Sequence, residues 1–203
     1  IYFPVIVSVF SISHFHYNLF KKMFVFAIPF LPSALLFIIM GFSDRWFIKY
    51  FDTIESVGLY HTGYKLGSIM SLAVTAFSLN WQPFYLKFKH NKENQFGKIG
   101  DLVIVGLIFI FTLLVYFVHD IAYINWNQTY LIGEEFRSGL AVVPFIALGY
   151  FFYGIYVLQM PSIYILNKQN YGLLFWGLGA VINIIGNYFL IQYFGYIGAA
   201  YST

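Results

Sequence analysis

Residues 102–119 read Leu-Val-Ile-Val-Gly-Leu-Ile-Phe-Ile-Phe-Thr-Leu-Leu-Val-Tyr-Phe-Val-His and hold no Asp, Glu, Lys or Arg. A helix needs about 20 mainly apolar residues to cross the hydrocarbon of a bilayer. Similar charge-free runs lie at 1–20, 23–43, 66–86, 138–167 and 169–203. Within the last two, one helix is expected over 142–166 and one over 173–193. The turn Phe194-Gly195-Tyr196 then leads into a new span at Ile197. The run at 1–20 turns polar through His14, His16 and Asn18, so it reads as the tail of a span begun upstream. The expectation is an all-α, polytopic transmembrane helix bundle. It has about five full spans and a partial span at each end.

Composition points the same way. The 203 residues are 60% hydrophobic, 23% aromatic and 9% charged. Phe alone, at 25, outnumbers the 11 basic and 8 acidic residues together. So few charges cannot coat a water-soluble body of this size. Disorder is excluded by the high hydrophobicity. A net charge of +3 gives no electrostatic support to a nucleic-acid partner. The absence of cysteine removes disulfides and thiolate metal sites. The chain is read as a single transmembrane domain over 1–203, with 1–20 a preceding span end and cytoplasmic link.

Loop charges alternate as five spans require. One set of loops holds Lys21, Lys22, Lys87, Lys89, Lys92, Lys98 and Lys168 against two acids, Glu93 and Asp101. The other holds Arg45, Lys49 and Arg137 against Asp44, Asp52, Glu55, Asp120, Glu134 and Glu135. Basic loops stay on the cytoplasmic side. The first set is therefore expected inside, where its lysines meet anionic lipid headgroups.

Read as one helix, 56–88 carries His61, Tyr64, Lys65, Ser68, Ser71, Thr75, Ser78 and Gln82 on one face, with Leu59, Leu66, Ile69, Met70, Ala73 and Phe77 opposite. A polar stripe is expected to face a cavity or another helix rather than lipid. Hydroxyl-mediated helix packing explains the Ser and Thr equally well. Lys65 is different, because an ionisable group at depth is a functional candidate by default. Its alternative is snorkelling to the interface.

Ser43-Asp44-Arg45 is expected to end the span 23–43 at the outer interface, flanked by Trp46 and Tyr50. Asp44 and Asp52 would then compensate Arg45 and Lys49. Alternatively the helix bends inward and Ser33, Phe37, Met40 and Asp44 share a face, leaving Arg45 to offer a bidentate site to a phosphate. Asn183 and Asn187 lie one turn apart and either bind helices together or line a cavity. Pro29, Pro32 and Pro161 bend spans or shape their ends. His14 and His16 lack a third ligand, and His119 with Asp120 marks a span end. No metal, cofactor or catalytic motif is present. Neither a cofactor nor an enzyme activity is expected.

The ordered set Pro29-Phe30-Leu31-Pro32-Ser33, Ser43-Asp44-Arg45-x-Phe47-Ile48, Val57-Gly58-x-Tyr60 with Tyr64-Lys65, and Trp81-Gln82-Pro83-Phe84 resembles the C-terminal half of bacterial oligosaccharide flippases. Asn183-x-x-x-Asn187 followed by Gly195-Tyr196-x-Gly198-Ala199-Ala200 is similar to that half as well. The match runs over roughly 23–200, within the multidrug/oligosaccharidyl-lipid/polysaccharide exporter superfamily. The resemblance implies the C-terminal lobe of a two-lobe transporter, with an N-terminal lobe as partner. It implies an undecaprenyl-pyrophosphate-linked oligosaccharide, of O-antigen or capsule type, turned across the bacterial inner membrane. Lys65 and then Arg45 would attract the pyrophosphate. Asp44, His61, Tyr64, Ser68, Thr75, Asn183 and Asn187 would complete the cavity site. A cation-coupled multidrug exporter of the same superfamily is the runner-up; it wants a membrane-buried carboxylate, and none is expected clearly inside a span here. A membrane-embedded polysaccharide polymerase or acyltransferase stands third.

Overall fold

The computed structural model of the protein describes residues 16–28, 30–88, 93–126, 129–166 and 168–203. Five helices come first: α1 (Tyr17–Ala27), α2 (Phe30–Phe51), α3 (Ile54–Gly67), α4 (Ile69–Phe88) and α5 (Glu93–Ala122). A short antiparallel ladder follows, β1 (Asn125–Trp126) against β2 (Thr129–Tyr130). A 3₁₀ helix (Glu134–Val142) then leads into α6 (Val143–Ile165), α7 (Gln169–Phe194) and α8 (Tyr196–Ser202). The architecture is an all-α bundle.

Among the described residues, four segments are long and apolar enough to cross a membrane. They are Leu31–Phe51, Phe96–Ala122, Glu134–Pro161 and Asn170–Phe194. The fifth expected span, 66–86, is not among them. It falls across the α3–α4 junction, and Ser71, Thr75, Ser78, Asn80 and Gln82 dilute the apolar character of α4. Large apolar side chains such as Leu35, Phe42, Leu72, Leu102, Tyr116 and Ile182 are exposed on the bundle's surface. So much apolar surface suits a hydrocarbon surrounding rather than water.

Two cores hold the bundle. In the first, Met70, Val74, Trp81 and Tyr85 of α4 meet Leu107, Leu114 and Val118 of α5 and Val143, Ala147 and Val157 of α6. In the second, Ile48 of α2, Tyr60 of α3 and Ile146 of α6 meet Ile191, Ala199 and Ala200. α2 packs chiefly on α7, and α7 on α8. Consecutive helices α6 and α7 touch only narrowly, so α4 and α6 stand somewhat apart from α7. α3 ties the two groups together. It can approach the 3₁₀ helix at backbone distance because Gly63 lies against the Gly139 carbonyl, where a Cβ would collide. Gly195, at φ +57°, makes the turn from α7 into α8, a conformation that suits glycine.

Two expectations about helix boundaries are corrected. α2 does not end at Ser43 but runs on to Phe51. Nothing at 43–45 stops it: Asp44 finds partners inside the bundle, and Arg45 Nη1 donates back to the Gly41 carbonyl at 2.6 Å. The segment 56–88 is not one helix, because it breaks at Ser68 between α3 and α4. The Ser68 carbonyl accepts from Ser71 N at 2.9 Å and from Ser71 Oγ at 2.6 Å, a tightened turn. A Gly–Ser pair is a common site for such a break. Pro32 sits in the first turn of α2, a tolerated place, while Pro161 lies inside α6. Pro29, His14, Lys89 and Lys92 lie outside the described residues.

Candidate functional site

Asp44 lies near the middle of the α2–α7 contact and is 2% exposed. Each of its carboxylate oxygens accepts two hydrogen bonds. Oδ1 receives Asn187 Nδ2 at 2.8 Å and Asn183 Nδ2 at 3.3 Å. Oδ2 receives the Tyr60 hydroxyl at 2.7 Å and the Thr203 hydroxyl at 3.1 Å. Two bonds per oxygen fill its ordinary acceptor capacity. The four donors come from α3, α7 and the residue after α8, so one side chain of α2 gathers three other parts of the chain.

The cage has an outer layer. Ser43 Oγ donates to Asn183 Oδ1 at 2.7 Å and accepts from Asn187 Nδ2 at 3.3 Å. Ser202 Oγ donates to Asn187 Oδ1, and the Ser202 carbonyl accepts from Asn183 Nδ2 at 3.2 Å. The i, i+4 spacing of Asn183 and Asn187 points both amides at α2. Every donor to Asp44 is neutral. Burying a carboxylate without a cation is costly, and this network offsets part of that cost through its hydrogen bonds. The carboxylate, hydroxyl and amide oxygens gathered here are hard ligands. A cation needs the two amides to turn their oxygens inward.

Neither Arg45 nor Lys49 pairs with Asp44 or Asp52 among the described residues, so the interfacial ion-pair cluster expected at 44–52 does not form. The inward-facing alternative describes the helix better. Phe37 packs edge-on against Trp176 of α7 at 5.3 Å, and Met40 touches Gly179. Arg45 turns to the other side. Its guanidinium lies 4.9 Å over the Tyr64 ring, and the Tyr64 hydroxyl meets the Tyr150 hydroxyl at 2.8 Å. His61 and Lys65 are exposed on α3, with His61 in electrostatic range of Arg45 and Lys65.

The candidate residues thus divide by partner. Arg45, His61, Tyr64 and Lys65 form a basic, aromatic-backed surface. Ser68 Oγ bonds the Lys65 carbonyl at 2.8 Å and belongs to the helix break. Thr75 is exposed on α4. Asp44, Asn183 and Asn187 belong to the separate buried cage. The amides therefore bind helices together, with α2 as their partner. Sequence reading missed Tyr60, Thr203, Ser43 and Ser202 as members of the cage. The signal available was the pairing of a single mid-helix carboxylate with two asparagines one turn apart. No family model, curated protein or solved structure matches the chain.

Proposed function

We propose that the chain is the C-terminal lobe of a lipid-linked oligosaccharide flippase with five spans in this lobe. It moves an undecaprenyl-pyrophosphate-linked oligosaccharide across the bacterial inner membrane for surface polysaccharide synthesis, without breaking a bond. The observation that carries this reading is the adjacency of two opposite sites on α2 and α3. A buried carboxylate without a cation, Asp44, directly precedes Arg45, which lies half-buried over Tyr64 beside the exposed His61 and Lys65. The basic surface suits a pyrophosphate: Lys65 as a mobile charge, Arg45 as an oriented fork. The Asp44 cage suits coupling, since gain or loss of a proton or cation there changes how α2 is held to α3, α7 and α8.

Lys65→Ala and Asp44→Asn, each made in the full-length protein, provide the test. Surface polysaccharide is measured at matched expression in a strain that depends on the protein. Both substitutions are expected to reduce it strongly. Normal polysaccharide in Lys65→Ala removes the pyrophosphate role and with it the reading. The burial of Asp44 also favours a second reading, a cation-coupled multidrug exporter, which requires such a carboxylate. Cells with unchanged polysaccharide but raised sensitivity to lipophilic cations in Asp44→Asn would select that reading instead.

A further inference from the structure

Where α7 stands off from α4 and α6, a cleft of about 130 Å³ opens, lined among others by Ser78, Gln82, Tyr153, Tyr156 and Trp176. Its walls are aromatic and mutually braced. Tyr153 and Tyr156 stack at 6.1 Å, and Trp176 sets its ring against both, at 6.3 Å and 5.7 Å. Trp176 is held from behind by Phe37 of α2.

The polar groups of the cleft behave unlike their neighbours. On α4, Ser71 bonds back to the Ser68 carbonyl and Asn80 to the Ala76 carbonyl. Ser78 and Gln82, and the Tyr153 hydroxyl opposite them, make no hydrogen bond among the described residues. Ser78 and Tyr153 are half-buried and Gln82 is exposed, so their polar groups stay open to a bound partner. Three unpaired donor–acceptor groups at the rim of an aromatic slot therefore define a ligand with a flat apolar face and a polar edge. No carboxylate lines the cleft, so a cation there would gain ring contacts but no ion pair.

We infer that this cleft seats one pyranose ring of the glycolipid head group, its C–H face on Trp176 and the tyrosines and its hydroxyls on Ser78, Gln82 and Tyr153. The inference rests on the flippase reading and adds a sugar-specific contact to it. The space admits a single ring, so most of the oligosaccharide stays outside and one residue of it is read. Small sites of this kind combine apolar walls with a few placed polar groups.

Methyl pyranosides in the millimolar range serve as probes. They are titrated against the full-length protein in nanodiscs, with saturation-transfer NMR and tryptophan fluorescence as readouts and sorbitol as an open-chain control. At least one pyranoside is expected to bind saturably while sorbitol does not. Gln82→Ala and Tyr153→Phe keep the walls and are expected to weaken binding by about tenfold each, one hydrogen bond's worth. Trp176→Leu is expected to abolish it. The inference is overturned if no pyranoside binds, if Gln82→Ala and Tyr153→Phe both leave binding unchanged, or if tetraphenylphosphonium displaces the sugar. Pyranoside binding alongside normal polysaccharide in Lys65→Ala would sink the flippase reading and leave the cleft standing. A polysaccharide defect in Lys65→Ala without pyranoside binding would do the reverse.

Discussion

The Tyr60 hydroxyl donates to Asp44 Oδ2 at 2.7 Å, joining α3 to α2 across the sharp turn at Asp52 and Thr53. Tyr60 is fully buried and Asp44 nearly so. Tyr60→Phe keeps the ring and removes this donor. The protein is expected to lose about 1–3 kcal/mol, the usual cost of leaving a buried polar group short of a partner. Thermal unfolding in detergent measures it. A double-mutant cycle with Asp44→Ala, which removes the acceptor, should return a coupling well above zero, because the two groups touch. Additive effects would mean the hydroxyl is held by Thr203 instead, 3.5 Å away.

Backbone contact between α3 and the 3₁₀ helix gives a second prediction. A methyl at Gly63 would run into the Gly139 carbonyl and the Val142 side chain, and one at Gly139 into the Leu59 carbonyl. Carbonyls cannot move aside as a side chain can, so Gly63→Ala and Gly139→Ala should each cost about 1–3 kcal/mol or more through overpacking. Gly177 on α7 has nothing within 4 Å of an added Cβ. Gly177→Ala should be neutral or stabilise by about 0.5–1 kcal/mol, the helix-propensity gain. Melting temperatures should therefore fall in Gly63→Ala and Gly139→Ala and hold or rise in Gly177→Ala.

Arg45 and Lys65 are both basic, yet their surroundings differ. Arg45 is anchored to the Gly41 carbonyl and stacked over Tyr64, whereas Lys65 is exposed and makes no ion pair among the described residues. Arg45→Lys loses the planar stack and the fork, so the flippase reading expects weaker pyrophosphate binding. Lys65→Arg keeps a mobile charge and should bind nearly as the parent does. Calorimetry with inorganic pyrophosphate compares them. Equal affinities in all three proteins would mean that charge alone matters and that the Tyr64 stack is incidental.

Helix existence was readable because it depends on local apolar content, and 102–119 falls wholly inside α5. The turn at Gly195 was readable because few residues accept a positive φ. The end of α2 was not. Asp44 and Arg45 look like an interface in one dimension, and only the distant Asn183, Asn187 and Thr203 make burial of Asp44 tolerable. The break at Ser68 was hidden for a similar reason. Gly67 is pressed against Ile146 of α6, a contact that periodicity along α3 and α4 does not encode. The sorting of the candidate residues into a basic surface and a separate buried cage needed the third dimension.

Arg137 supplies the last prediction. Its guanidinium lies 4.2 Å over the Tyr123 ring and 4.8 Å over the Tyr130 ring, and Nη1 donates to Glu134 Oε1 at 3.3 Å. Its Nε and Nη2 are buried without a hydrogen-bond partner. The residue thus clamps the end of α5, the β1–β2 ladder and the 3₁₀ helix mainly through ring contacts. A shielded cation–π contact is worth about 0.5–2 kcal/mol, and two rings share this cation. An exposed ion pair is worth about 0–1 kcal/mol, and Glu134 is 77% exposed. Glu134→Gln should therefore leave stability nearly unchanged, while Arg137→Ala should cost at least about 1 kcal/mol. Hydrogen exchange over 123–142 should rise in Arg137→Ala and stay at the parent level in Glu134→Gln. High salt should change neither ranking, since salt screens the ion pair and hardly touches the stacked rings. Equal losses in the two variants would assign the clamp to the ion pair.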